Sequence, residues 1–148
     1  MEQTSINSLR IPMQERSWLV PGNVLAEVIP LRHPDRPGHG QEWLLGWINW
    51  RDQNIPLLSF ERLNQSGRVV IGPAARIAVF HTITGTVPFY AMIIQDQPQP
   101  VAVDAATLRV DGDATGPIEA FIAHLEDDVV LIPDLDKLEH AVSGLQFR

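Results

Sequence analysis

Cysteine is absent from the 148 residues. That excludes a disulfide framework, a thiolate metal site and a cysteine nucleophile together, and it fits a reducing compartment. Lysine occurs once, at Lys137, and eleven basic residues face eighteen acidic ones, for a net charge of -7. A surface that tracks phosphates needs clustered Lys and Arg, so nucleic acid is not an expected partner. Long hydrophobic runs are also missing. The longest uncharged stretch, residues 77–95, carries His81, Gly85, Pro88 and three threonines, which a membrane-spanning helix would not choose. The start, Met1-Glu2-Gln3-Thr4-Ser5, has neither a basic region nor an apolar core, so no signal peptide and a cytoplasmic location are expected.

The length suits one domain with a substantial core, and apolar residues (45%) run along most of it. Twelve prolines and ten glycines punctuate apolar runs of strand length, the pattern of an all-β sandwich or barrel. Trp43, Trp47 and Trp50 have helical spacing. Their run is nevertheless short, contains Gly46 and ends at the turn-like Arg51-Asp52-Gln53-Asn54, so a strand is expected. Residues 133–142 are the best helix, capped by Asp134 with Leu135, Leu138 and Val142 on one face. Residues 21–27 suggest a shorter one. Residues 30–41 and 66–73 read as loops, and 107–117 as an exposed connection. Charge is uneven: residues 111–139 hold nine acids and one base. This is either a solvated face or a docking face for a basic partner.

An internal repeat is present at an offset of 75. Residues 48–63 (INWRDQNIPLLSFERL) and 123–138 (AHLEDDVVLIPDLDKL) align without a gap. Both read as strand, charged tight turn, strand and capped helical turn, with Ser59 and Asp134 at the cap. A weaker echo links residues 11–28 with 77–94. Duplication of units of about 75 residues, each a small barrel, accounts for the length and the strand count.

Chemistry is scarce. Residues 111–116 (DGDATG) match the start of a calcium loop, but position 12 is Ile122 and not the bidentate acid, so an ordinary acidic turn is expected. The five histidines have no metal-ligand spacing. There is no Gly-x-Ser-x-Gly elbow and no Gly-rich phosphate loop. Asp127-Asp128 sit in an expected hairpin turn, exposed to water. No catalytic residue, metal ligand or cofactor is therefore assigned. Glu27 and Arg51 are the charges of interest, because neighbouring strands would let them form a forked guanidinium–carboxylate pair.

Residues Leu45-Gly46-Trp47-Ile48-Asn49-Trp50-Arg51-Asp52-Gln53-Asn54-Ile55-Pro56-Leu57-Leu58-Ser59-Phe60 resemble the signature of CheW-like domains. That signature is Leu-Gly-apolar-Ile-Asn-Leu-Arg-Gly, then two or three residues to a proline, two apolar residues, Asp and Leu. Gly46, Ile48, Asn49, Arg51 and Pro56 carry the match, and the likeness extends over about residues 9–142. It implies a mainly β fold of two intertwined, five-stranded, SH3-like barrel subdomains with short helices. The approximate halves are 9–65 and 76–142, exchanging strands within a single domain of residues 1–148. It also implies a non-catalytic adaptor that binds the cytoplasmic tip of a methyl-accepting chemoreceptor and the regulatory domain of a CheA-type histidine kinase. Such an adaptor serves two-component chemotaxis signalling, has no cofactor and is not inserted in the membrane.

Carried over by residue, Glu27 and Arg51 match a structural pair beside the receptor groove, and Val24, Leu25 and Val28 are candidates for its wall. The motif's second glycine is Asp52 here, its Asp is Ser59, and Trp47 and Trp50 replace smaller aliphatics. These departures, with the loose turn at Gly85-Thr86-Val87-Pro88, resemble the accessory adaptors of type IV pilus twitching systems (the PilI and ChpC kind). The competing reading is a small-ligand-binding β-barrel, or a regulatory module that has lost kinase coupling.

Overall fold

Alternating apolar residues dictate strands with two buried faces, and the computed structural model shows them arranged in two sheets. It describes residues 6–83, 85, 88–104, 106–113 and 116–145. Part of the turn at residues 85–88, part of the calcium-like loop at 111–116 and the first five residues lie outside these. The order is β1 (Ile6–Ile11), β2 (Ser17–Pro21), a 3-10 turn (Gly22–Val24), β3 (Leu25–Pro30), β4 (Arg36–Pro37), β5 (Leu44–Trp50), β6 (Gln53–Leu58) and α1 (Phe60–Leu63). It continues with β7 (Arg76–His81), β8 (Phe89–Ile94), β9 (Gln99–Val103), β10 (Leu108–Asp113), β11 (Glu119–Leu125), β12 (Asp128–Pro133) and α2 (Leu135–Ser143).

The first sheet runs β10-β11-β12-β2-β1-β9 and the second β3-β7-β8-β6-β5-β4. The two orders mirror each other when the second is read backwards. In each, a hairpin joins a three-strand unit through one parallel pairing: Leu131 beside Trp18 in the first, Leu58 beside Met92 in the second. The first sheet thus takes β1 and β2 from the first repeat half and β9–β12 from the second. Both sheets must curl. Six flat strands would place the outer two about 24 Å apart. The link from Val103 at the end of β9 to Leu108 at the start of β10 spans at most ~18 Å. The link from β3 to β4 is almost as short.

Four details of the expected fold need correction. Each sheet has six strands rather than five. Residues 30–41 are not all loop, because β4 pairs with β5 through Arg36 and Pro37, and a proline is tolerated on an edge strand. Residues 107–117 are not merely a connection, because β10 pairs along β11, with a bulge between Val110 and Gly112. The Asp-Gly-Asp sequence that suggested a turn sits at this bulge. Residues 21–27 form only one 3-10 turn, since Leu25 is already extended.

The repeat is visible as two hairpin–helix units, β5-β6-α1 and β11-β12-α2. Ser59 Oγ accepts from the Arg62 N–H at 3.3 Å, and Asp134 Oδ1 from the Lys137 N–H at 3.0 Å. These are equivalent N-caps that satisfy otherwise orphan helix donors. The helices differ in length because Asn64-Gln65-Ser66-Gly67 follows α1, and Gln65 is left-handed (φ 55°), which ends a helix. Beyond Leu138, Ala141 and Val142 continue the apolar face of α2.

Side chains alternate between three cores. Ile48, Trp50, Ile55, Leu57, Ile77, Val79, Ala91 and Ile93 fill the second sheet's curl. Leu19, Val103, Ala123, Leu125 and Val130 fill the first. The largest cluster lies between the sheets and includes Trp18, Leu58, Phe60, Phe80, Tyr90, Met92, Leu131, Leu135 and Leu138. Along β8, Tyr90, Met92 and Ile94 face this shared core while Ala91 and Ile93 face inward. The period of two leaves no face for solvent.

Two buried acids from the helices tie the sheets together. Glu139 of α2 accepts the Ile83 N–H in the β7–β8 connection through both oxygens, at 2.9 and 3.1 Å. Glu61 of α1 accepts the Gln14 N–H in the β1–β2 connection. Each helix therefore docks on the hairpin loop of the opposite sheet. Burial raises the Glu61 pKa from its ordinary value of 4.5, and the Glu15 charge adds to the rise against the two backbone hydrogen bonds. A raised carboxylate pKa favours the folded state below the ordinary value, and that contribution is lost as pH rises through the folded value. Glu61→Gln is expected to stabilise the protein at neutral pH, with the gain vanishing in acid. Urea unfolding at pH 4 and pH 7 checks this. A variant that is destabilised at pH 7 but not at pH 4 would show that the ionised form is needed.

Candidate functional site

One end of the second sheet carries the charge pair that the sequence singled out. β3 has a bulge between Leu25 and Glu27 opposite Val79, and a bulge re-aims the side chains beside it. Glu27 is thereby brought to the end of β5. Arg51 Nη2 lies 3.0 Å from Glu27 Oε1, and the Trp50 indole N–H donates to the same oxygen at 3.2 Å. The guanidinium also lies over the Trp50 ring, 4.4 Å from its centroid, as a cation–π contact. The pair is a single contact rather than a fork, because one carboxylate oxygen serves both donors.

Arg51 and Asp52 form the two-residue β5–β6 turn with φ of 49° and 64°, the left-handed pair of a type I′ hairpin. That turn normally uses Asn-Gly. The pair and the ring contact hold Arg51 where its backbone is strained. The Arg51 and Glu27 side chains are 65% and 41% exposed, so the ion pair itself contributes at most about 1 kcal/mol. Arg51→Glu and Glu27→Arg are each expected to cost about that much, and the double exchange to recover part of it. Denaturant unfolding of the four proteins checks this, and strictly additive costs would exclude the coupling.

Trp47 and Trp50 are 8% and 5% exposed. Both belong to the core and are not exposed anchors. Trp50 packs edge-on against Phe89 with centroids 4.8 Å apart. Sequence reasoning missed its bond to Glu27. The signal available was an indole at the motif's leucine position, beside the arginine. Val24 is 3% exposed within the shared core, so it cannot line a groove without opening the fold. Leu25 and Val28 are partly buried against the same core, and they flank Glu27.

The other motif residues have structural reasons. A Cβ on Gly46 would collide with the Arg36 carbonyl oxygen and the Pro34 side chain, so glycine is what lets the 34–37 segment lie on β5. Asn49 works through its backbone. Its N–H donates to Asp35 Oδ2 at 2.6 Å, and its carbonyl accepts from Arg32 Nη2 at 2.7 Å. A charged side-chain pair thus covers backbone groups on the edge of β5. Ile48 is wholly buried, and Pro56 opposes Trp47.

The opposite end of the second sheet opens as an apolar groove of about 330 Å³, lined by Leu31, Leu45, Leu57, Val69, Ile71 and Ile93 with Arg32, His33 and Pro34. In its lining Leu31 is 39% exposed and Ile71 52%, and the adjoining Val70 is 56% exposed. Large aliphatics clustered in the open mark an interaction site. A second, more polar groove of about 550 Å³ lies between Trp47, Arg36, His39 and the end of α2 at Gly144-Leu145.

Among the described residues no group of three His, Cys, Asp or Glu is placed to hold a metal ion. The Tyr90 hydroxyl is buried without a hydrogen-bond partner among the described residues. Burial, then the nearby Glu139 carboxylate, pushes its pKa above the ordinary tyrosine range, which leaves it unreactive. His124 pairs with Asp111 at 3.3 Å on the surface. No helix of the described residues is long and apolar enough to cross a membrane.

Comparison with known proteins agrees with this geometry. Residues 8–142 match the family described as CheW-like domain. Among solved structures, the crystal structure of the scaffolding protein TtCheW from Thermoanaerobacter tengcongensis superposes with a TM-score of 0.72 at 15% identity, over 88% of this chain and 89% of that one. No curated protein matches the chain. At that identity the superposition speaks for the fold alone. The family match spans both sheets, both capped helices and the Glu27–Arg51 end, and on it the chain belongs to the CheW-like domain family.

Proposed function

We propose that the protein is a non-catalytic cytoplasmic adaptor that couples a chemoreceptor to a CheA-type histidine kinase. An adaptor must hold two partners at separate places. The observation that carries the reading is that one curled sheet offers two distinct ends. The Glu27–Trp50–Arg51 cluster, flanked by Leu25 and Val28, occupies one. The groove lined by Leu31, Val69 and Ile71 occupies the other, about 20 Å away along six-residue strands. We assign the charged end to the receptor tip and the apolar end to the kinase regulatory domain. The name of the structural neighbour, a scaffolding protein, accords with this. The two sheets are read as the two subdomains, with the halves 9–65 and 76–142 exchanging hairpins. Placement in the type IV pilus branch rests only on the departures at Trp47, Trp50, Asp52 and residues 85–88.

Titration calorimetry of the full chain against the regulatory domain of a cognate CheA-type kinase tests the assignment. Saturable one-to-one binding near micromolar Kd, about -8 kcal/mol, is expected, with loss on Ile71→Asp. Absence of binding by the folded protein would return the groove to the small-ligand reading.

A further inference from the structure

The segment that displays Val70 and Ile71 belongs to no strand, yet its backbone is bonded as if it did. The Val70 N–H donates to Gln14 Oε1 at 2.8 Å, and Gln14 Nε2 donates to the Arg68 carbonyl at 2.9 Å. Gln95 Nε2 donates to the Val70 carbonyl at 2.9 Å, and the Gly72 N–H donates to Gln95 Oε1 at 3.0 Å. A glutamine amide has the donor and acceptor of a peptide group. Each of these bridges residues i and i+2, as one residue of a neighbouring parallel strand does. The clamps come from different bodies. Gln14 lies in the β1–β2 connection of the first sheet. Gln95 follows β8 of the second, and its own N–H donates to the Pro12 carbonyl at 2.9 Å.

We infer that Gln14 and Gln95 are positioning residues that hold residues 68–72 as a preformed docking strand, which presents Ile71 beside Leu31 at the groove to an apolar partner with an acidic rim. The inference deepens the adaptor reading and rests on it for the partner, the kinase regulatory domain. Two observations and one physical argument support it. Val69 packs against the second sheet's core and lines the groove with Ile71, which is 52% exposed, so the exposure is built in rather than a frayed loop. Fixing the segment before contact removes an ordering cost from binding. Arg32, Arg68 and Arg76 are exposed at this end against Asp35 and Asp96, and Arg32 already engages Asp35 at 3.6 Å. The cations in excess suit an acidic rim and predict tighter binding at low salt.

The test uses the full chain, amide hydrogen exchange by NMR and calorimetry against the kinase regulatory domain. In the Gln14→Ala/Gln95→Ala variant, the Val70 and Gly72 amides are expected to exchange about tenfold faster. Affinity is expected to fall roughly tenfold while the fold and the receptor-facing end are unaffected. Gln14→Glu keeps the acceptor for Val70 and loses the donor to Arg68, and should fall between. If the double variant does not fold, Gln95→Ala alone is read in the same way. Unchanged exchange at Val70 and Gly72 overturns the clamp. Faster exchange with unchanged affinity overturns its role in docking. If the native chain does not bind the kinase domain at all, the adaptor assignment fails and the docking role with it, whereas the exchange rates still report whether the clamp exists.

Discussion

Trp18→Ala is expected to cost about 3–5 kcal/mol, the range for truncating a buried tryptophan, and to lower the melting temperature by on the order of 10 °C. Trp18 is wholly buried between the sheets. Its ring meets Phe60 edge-on at 4.8 Å and 87°, and Phe80 at 6.1 Å. These partners come from α1 and β7 while Trp18 sits on β2, so its loss opens the shared core and not just one sheet. Its indole N–H has no hydrogen-bond partner among the described residues, an unusual state for a buried donor and one that carries a penalty. Both Trp18→Ala and Trp18→Phe remove that orphan, and Trp18→Phe should cost much less because it keeps a ring in the shared core. Chemical denaturation of both variants checks this. A Phe variant as damaged as the Ala variant would show that the retained ring does not fill the space between the sheets.

Gly46→Ala is the second large effect, expected at about 1–3 kcal/mol by overpacking. The added methyl meets a backbone carbonyl at Arg36 and the ring of Pro34, and neither yields as a flexible side chain would. The 34–37 segment would lift from β5. That breaks the Asp35 N–H bond to the Trp47 carbonyl (2.8 Å) along with the Asp35–Asn49 contact. Stability measurement combined with amide exchange at Asp35 and Asn49 separates this from a general loss. A stable variant with both amides still protected would exclude the close-approach explanation of this motif glycine.

The parts of the fold legible in the sequence were those governed by local chemistry. Ser59 and Asp134 announced two helix starts, charged turns announced two hairpins, and Gly46 inside a tryptophan run turned a helical spacing into a strand. β4 and β10 were not legible. One has two residues, and the other is an edge strand interrupted at Gly112, so neither shows sustained alternation. The Glu27–Arg51 contact was readable from the motif, but its single-oxygen geometry was not, because the Trp50 indole claims the same acceptor. Val24 was misplaced because apolar groove walls and apolar cores have the same composition. The Gln14 and Gln95 clamps were invisible for a different reason. Glutamines have no characteristic spacing, and Gln14 meets its partners 54 and 56 residues away.

In the proposed adaptor one chain holds two partners at opposite ends of one sheet. The most direct measurement is sedimentation of the full chain with a receptor-tip fragment and the kinase regulatory domain together. It would be repeated with Arg51→Glu and with Ile71→Asp. A ternary complex is expected, in which Arg51→Glu releases only the receptor fragment and Ile71→Asp only the kinase domain. Mutually exclusive binding, or one substitution that releases both partners from a folded chain, would contradict it.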